Sequence, residues 1–451
     1  MLKGILVIVI FFILALAAVF NFPADTDFQA ENEKKEALET IEVYKTKYMF
    51  QDAGEMYYSL IKKYPDDEKL SEDYFDFCIE HGFNKQAAEH YENLLSKTHD
   101  KKIAEELLGL YCTMDSTKRY SLITVYRELL QDTETYKKIR KDQLSQLRSK
   151  KSRISELEDW AGGRYAVFKN DDGLVGIVGT DGRETVSPLY DDITSYSYED
   201  ELIAINDNDQ LSYCDSTGKR VLVPYNSNDG TLIYLEYAGP FENGISNIKR
   251  DGQWGYANAE LKYAQLQYEK TTPFSCGISA AKTSEGWILL NSSMTKINDI
   301  RIDDIYTDSY GYCCFNDIIY IKEKTGYRMY HTKKNENGTV QSVEPVTDKY
   351  FDDVKPFTEY GAVKQGNKWG FIDSSGNWFI EPSAQYEDAS SFRCGYATVK
   401  HDGKWGFICV DDPVLTECIY DDATSFSEMG CVGIKMDDYW KIMQLPEYYY
   451  K

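Results

Sequence analysis

The stretch KWGFIDSSGN at residues 368–377, between GAVKQG (361–366) and NWFIEP (377–382), decides the fold. Gly366-Asn367 and Ser375-Gly376 supply residues that tolerate positive φ, as tight hairpin turns demand, so the segments predict three short antiparallel strands. Alternation places Trp369, Phe371 and Asp373 on one face and Gly370 and Ile372 on the other. Gly370, with no side chain, is expected to leave room for a neighbouring sheet.

Outward from this core the pattern recurs. KWGFICVDDP (404–413), QWGYANAE (253–260), GWILLNSS (286–293), LSYCDSTGK (211–219) and VGIVGTDGR (175–183) align with it. The tryptophan position is filled in turn by Val175, Leu211, Trp254, Trp287, Tyr327, Trp369, Trp405 and Trp440, eight copies of one unit. An acidic landmark accompanies several cores: LYDDITSY (189–196), YFDDVKPF (350–357), QYEDASSF (385–392) and IYDDATSF (419–426). With Gly376, Glu381-Pro382 and Tyr386 after the first core, these residues resemble the WG-repeat family of mostly bacterial proteins. The resemblance covers residues 160–445. A sheet of this size cannot bury both faces alone, so the copies must stack. Radial stacking gives a β-propeller, which seven to eight units would close, and linear stacking gives a β-solenoid; we favour the propeller. The copy at Trp440 lacks its third strand, which leaves either an open cap or a unit completed by another segment.

Ahead of the repeats, residues 31–157 carry one proline, Pro65, and apolar residues at helical spacing. FQDAGEMYYSLIKKYP (50–65) aligns with FNKQAAEHYENLLSKT (83–98), pairing Gly54 with Ala87 and Tyr58 with Tyr91; Tyr126 and Leu129 continue the series. This resembles the tetratricopeptide repeat over residues 33–132, without that family's first-helix Trp and Leu-Gly pair. The basic stretch 133–157 reads as a final solvated helix joining two domains.

Residues 4–20, GILVIVIFFILALAAVF, hold no charge, and extended through Phe22 the run is long enough to cross a bilayer as a helix. We expect a signal anchor with the bulk of the chain extracytoplasmic, Lys3 holding the N-terminus inside. The alternative is a signal peptide cleaved after Ala15-Leu16-Ala17, giving a secreted protein. The expected organisation is therefore multidomain: a transmembrane or signal helix (1–24), an all-α tetratricopeptide-like segment (25–157), an all-β WG-repeat domain (158–445) and a tail (446–451).

The net charge of −24 argues against nucleic acid as a partner, since phosphate binding needs a basic footprint. The ten cysteines show no CxxC pair or framework spacing and read as small hydrophobes, Cys276 and Cys394 at one repeat position (FSCG and FRCG). No nucleophile elbow, HExxH or phosphate loop is present, and the five histidines share no ligand spacing, so no catalytic residue, cofactor or enzyme activity is expected. One polar constellation recurs: Asp192, Asp304, Asp353, Asp388 and Asp422, which repeat symmetry places on one rim. The sharper expectation there is Ca²⁺, the plainer one turn chemistry; we favour the second. Trp254, Trp287, Trp369, Trp405 and Trp440 are expected to be core positions of the repeat. Together these readings suggest an anchored binding or scaffold protein with protein partners. The alternative is a carbohydrate-binding module, in which exposed Tyr and Trp rings would stack on sugars.

Overall fold

The computed structural model describes residues 26–198, 202–207, 210–215, 217–222, 234–258, 263–297, 302–323, 325–383 and 385–449. The apolar run 4–22 lies outside these residues. Among those described, no helix is long and apolar enough to cross a membrane. The chain divides into two compact units, Met1–Thr135 and Tyr136–Lys451.

The first unit is helical. Helices Thr26–Thr46, Phe50–Lys63, Glu68–Glu80, Asn84–Thr98 and Lys101–Thr113 follow one another through short turns, each packing on the next. Asp67 and Asp100 cap two of them, each accepting from the backbone N–H three residues on, at 3.0 Å. The buried positions correct the register read from the sequence. Ala53 and Tyr57 are buried in one helix, Ala87 and Tyr91 in the other, so the structural offset pairs Ala53 with Ala87 and Tyr57 with Tyr91. Gly54 and Tyr58 sit one position round, and Tyr58 is 48% exposed. The proposed third copy is no continuous helix either: Lys118–Val125 breaks at Tyr126 before a single turn, Arg127–Leu130.

The second unit is an eight-bladed β-propeller. Among the described residues eight sheets span 156–190, 193–222, 237–268, 270–291, 304–345, 353–383, 388–409 and 422–444, the last completed by 148–154. Among the described residues five of the eight sheets are four-stranded, two three-stranded (270–291 and 388–409) and one five-stranded (304–345). In the sixth blade Asp353–Val354 precedes Gly361–Gln365, Lys368–Ile372 and Trp378–Ser383, so the acidic landmark opens a blade and is its innermost strand. Val175, Leu211, Trp254, Trp287, Tyr327, Trp369, Trp405 and Trp440 all sit at the start of a third strand, opposite the end of the second.

Eight apolar clusters join each blade to the next. The last joins Ile154, Trp440 and Ile442 of the eighth blade to Leu157, Ala166 and Phe168 of the first. The ring is closed. Its closure overturns the reading of 133–157 as one solvated helix and moves the boundary drawn at 157. The helix Glu134–Ser145 stops, and Arg148–Ile154 becomes the outer strand of the eighth blade, antiparallel to Tyr439–Gln444 with Arg148 opposite Gln444 and Ile154 opposite Trp440. The eighth copy thus takes its missing strand from upstream of the first. The tail is also structured: Pro446–Tyr449 is a helical turn with Glu447 buried.

Gly370 serves its own blade. A Cβ there would meet Ile380 O at 2.7 Å and Pro382 N at 2.8 Å, both on the fourth strand, where a bulge shifts the register opposite the glycine. Gly176 faces the same obstacle in Val186 O at 2.7 Å. The small residue therefore admits a kinked outer strand, and no neighbouring sheet approaches it.

Candidate functional site

The acidic residues lie where the repeat predicts. Asp304, Asp353, Asp388 and Asp422 each open an innermost strand, and Asp192 directly precedes the strand Ile193–Ser197. Their side chains take part in local turn hydrogen bonds. Asp304, Asp353, Asp388 and Asp422 each accept from the next residue's backbone N–H at 2.8–2.9 Å. The acid one residue earlier closes the hairpin between strands two and three: Glu236 accepts from Gly252 N (2.6 Å), Asp352 from Gly366 N (2.7 Å) and Glu387 from Gly403 N (3.2 Å).

A lysine on the second strand lies opposite the acid in five blades, though not opposite Asp192. Asp304 lies opposite Lys322, Asp353 opposite Lys364, Asp388 opposite Lys400, Asp422 opposite Lys435 and Glu156 opposite Lys169. Those lysines in turn lie opposite the repeat aromatics, with Lys322 Nζ 5.5 Å from the Tyr327 ring centre and Lys364 Nζ 5.9 Å from that of Trp369. An acid–lysine–aromatic row thus crosses the blades of Tyr327, Trp369, Trp405 and Trp440 at one end, and Lys355 Nζ lies 3.2 Å from Asp388. Among the described residues no group of three or more His, Cys, Asp or Glu side chains could hold a metal ion.

The repeat tryptophans divide. Trp369, Trp287 and Trp440 are 2%, 7% and 8% exposed. The indole N–H of Trp369 donates to Glu387 O of the next blade at 3.1 Å. Trp254 and Trp405 are half-buried. The three buried rings present no platform to a sugar.

The channel of the propeller carries a feature that the repeat does not predict. In the fifth blade the innermost strand is interrupted between Ile305 and Cys314. The inserted turn Asp308-Ser309-Tyr310-Gly311-Tyr312 has the hydrogen-bond pattern of the outer turn Asp373–Asn377. In both, the aspartate Oδ1 accepts from the N–H groups two and four residues on. Here the turn points inward. Tyr310 donates its hydroxyl to Asp159 O at 2.8 Å and accepts from Val167 N at 3.2 Å, both in the first blade, and its ring packs edge-on to Tyr165. Tyr312 donates to Glu242 Oε1 of the third blade at 3.0 Å, a carboxylate that Arg164 also holds at 3.1 Å. A segment of the fifth blade that bonds the first, four places round the ring, crosses the channel and plugs it. Burial pushes the Asp308 carboxyl up to about 7, against the two backbone N–H bonds that lower it.

A broad concavity lies in the helical unit. A groove of about 680 Å³ runs between helices Phe50–Lys63 and Asn84–Thr98, with Tyr74 and Cys78 of the intervening helix in its floor. Tyr58 stands in it under Lys62 Nζ, 4.3 Å from the ring centre. Gln51, Glu55, Gln86, Asn93 and Lys97 supply polar groups along its length. His90 lines it too, bonded to Ser71 Oγ and held below the usual histidine range by burial. The sequence reading aligned Tyr58 with Tyr91, which is buried, and named no groove.

The family model of the WG containing repeat matches residues 369–405 and 414–440. WG repeats are thus found in the sixth to eighth blades, from Trp369 to Trp405 and again up to Trp440. No curated protein sequence matches it. Among solved structures it is similar to PorZ of Porphyromonas gingivalis, titled an essential bacterial surface component of the type-IX secretion system: 10% identity, 60% of this chain, 39% of that one, TM-score 0.32. It is also similar to a β-propeller domain from Myceliophteria thermophila (11% identity, 66% and 99% covered, TM-score 0.33). A third is the WD40 domain of SCAP from fission yeast (8% identity, 67% and 100% covered, TM-score 0.35). The chain spans 39% of the length of PorZ. Likenesses of this size carry nothing about function.

Proposed function

We propose that the chain is an anchored extracytoplasmic interaction scaffold, its helical unit holding a partner protein and its WG-repeat propeller presenting a second, rigid surface. The observation that carries the reading is the groove of about 680 Å³ between Phe50–Lys63 and Asn84–Thr98. Its half-exposed Tyr58 offers an apolar anchor, and Gln51, Gln86 and Asn93 offer donors and acceptors suited to the backbone of an extended segment. Helices repeating at about this spacing support the tetratricopeptide-like assignment, which belongs to the same proposal. Anchoring rests on the uncharged run 4–20 behind Lys3. The reading gives the chain no chemistry of its own, in keeping with the lack of a catalytic motif in its sequence.

A photo-crosslinking residue in place of Tyr58, in the full chain in its native cells, tests this. We expect a discrete protein adduct that fails to form from Lys69, a position outside the groove. It should also be lost on Asn93→Ala with Gln86→Ala in the groove wall. Equal adducts from both positions would overturn the groove as the docking site.

A further inference from the structure

The cysteines of the fourth and fifth blades are arranged differently from the rest. Cys276 occupies the turn between the first and second strands of the fourth blade, in a left-handed conformation at φ 53°. Its sulfur lies 3.9 Å from Cys314 O, which sets the two cysteine side chains beside each other across the blade boundary. The backbones are tied alongside: Cys314 N donates to Ser275 Oγ at 3.2 Å. Cys314 is 2% exposed and Cys276 is partly open to solvent. The Asp317–Lys334 ion pair, 2.6 Å long, stands next to them.

Cys394 sits at the same repeat position, also left-handed at φ 55°, and is an internal control. Its sulfur faces the carbonyls of Ser427 and Glu428 at 3.4 Å. Burial pushes it up to about 11. The Cys314 thiol, with the backbone N–H of Asp317, instead holds Cys276 down at about 7.

We propose that Cys276 and Cys314 are a redox pair whose oxidation closes a disulfide between the fourth and fifth blades. The oxidant is a small disulfide such as oxidised glutathione. The Cys276 thiolate attacks one of its sulfurs, forming a mixed disulfide and expelling one glutathione thiolate. Cys314 then gives up its proton to that thiolate and attacks Cys276 Sγ, releasing the second glutathione. Two protein thiols lose two electrons and two protons, and one oxidised glutathione becomes two reduced ones. Burial holds Cys314 protonated, so its step is the slow one and the mixed disulfide precedes the internal bond.

The test uses the full chain, reduced and then exposed to oxidised glutathione, with free thiols trapped by alkylation and peptides mapped by mass spectrometry over time. The expected result is glutathione on Cys276 first, then a Cys276–Cys314 crosslink. Cys314→Ser should stop at the mixed disulfide, and Cys276→Ser should show neither product. In the unmutated protein, iodoacetamide should label Cys276 at least about tenfold faster than Cys394 at neutral pH, a comparison that needs no variant to fold. Labelling at equal rates would overturn the proposal. So would a mixed disulfide on Cys276 that never resolves, or a crosslink between Cys313 and Cys314.

Discussion

Arg140 Nη1 lies 2.6 Å from Glu447 Oε1, with both side chains buried at 5% and 3% exposure. The guanidinium also meets Asp411 Oδ2 at 3.2 Å and Cys394 O at 2.5 Å, and lies over the Tyr396 ring. Tyr396 returns its hydroxyl to Arg140 O at 2.6 Å. The helix that leads into the closing strand is thereby fixed to the chain end that leaves the eighth blade. Taking Arg140 away leaves the Glu447 and Asp411 carboxylates without it, and taking Glu447 away leaves Arg140 with Asp411 alone. Arg140→Ala or Glu447→Ala should each cost about 3–5 kcal/mol, read as a lowered urea midpoint. Arg140→Met with Glu447→Leu should cost clearly less than the two single changes summed, because of the three charges only that of Asp411 remains.

Trp369 and Trp405 hold one register position, yet their burial differs. Trp369→Ala removes a fully buried ring and its bond to Glu387 O, and should cost about 3–5 kcal/mol. Trp405→Ala should cost less, since its ring is half-buried. Thermal or chemical unfolding of the two variants measures the difference.

Asp308 makes the propeller sensitive to pH. Its carboxyl is raised to about 7 in the folded chain, against about 3.9 unfolded. Between these values the folded state holds a proton that the unfolded state has lost. Stability from this group is therefore greatest below about pH 4 and falls as pH rises to about 7. Because the side chain is only half-buried, the loss should be on the order of 2 kcal/mol. Asp308→Asn keeps the acceptor for Tyr310 and Tyr312 and should flatten that part of the profile. An unchanged slope between pH 4 and 7 would remove Asp308 from the account.

The acidic rim should not respond to Ca²⁺ selectively. With lysines opposite Asp304, Asp353, Asp388 and Asp422, millimolar Ca²⁺ should shift the melting temperature no more than Mg²⁺ or NaCl at equal ionic strength. A saturable, Ca²⁺-selective rise that Asp353→Asn with Asp388→Asn abolishes would contradict this.

What the sequence made legible, and what it hid, follows from the range of the interactions. Val175, Leu211 and Tyr327 could be placed beside the tryptophans because hairpin register is local, set by turns two residues long. The closing strand could not. Arg148–Ile154 reads RSKKSRI; as an outer strand it buries only Ile154 and shows no alternation, so its charges resemble a solvated helix. The plug escaped for the opposite reason: DSYGY carries the same turn chemistry as DSSGN, and only the ring reveals that it points into the channel. Arg140 and Glu447 meet across 307 residues, beyond any local pattern. In the helical unit the alignment was one residue out, setting Tyr58 rather than the buried Tyr57 against Tyr91, and the groove is built by residues of several helices that no local pattern joins.

The ring closed by a strand from upstream of the first blade is the claim on which the rest of the propeller depends. Amide hydrogen exchange across Arg148–Ile154 and Tyr439–Gln444 tests it most directly. The two strands should be protected together, and both should become unprotected when Ile154, buried between the eighth and first blades, is changed to Asp. Free exchange over 148–154 while 439–444 stays protected would mean that the eighth blade ends at three strands and the ring is open.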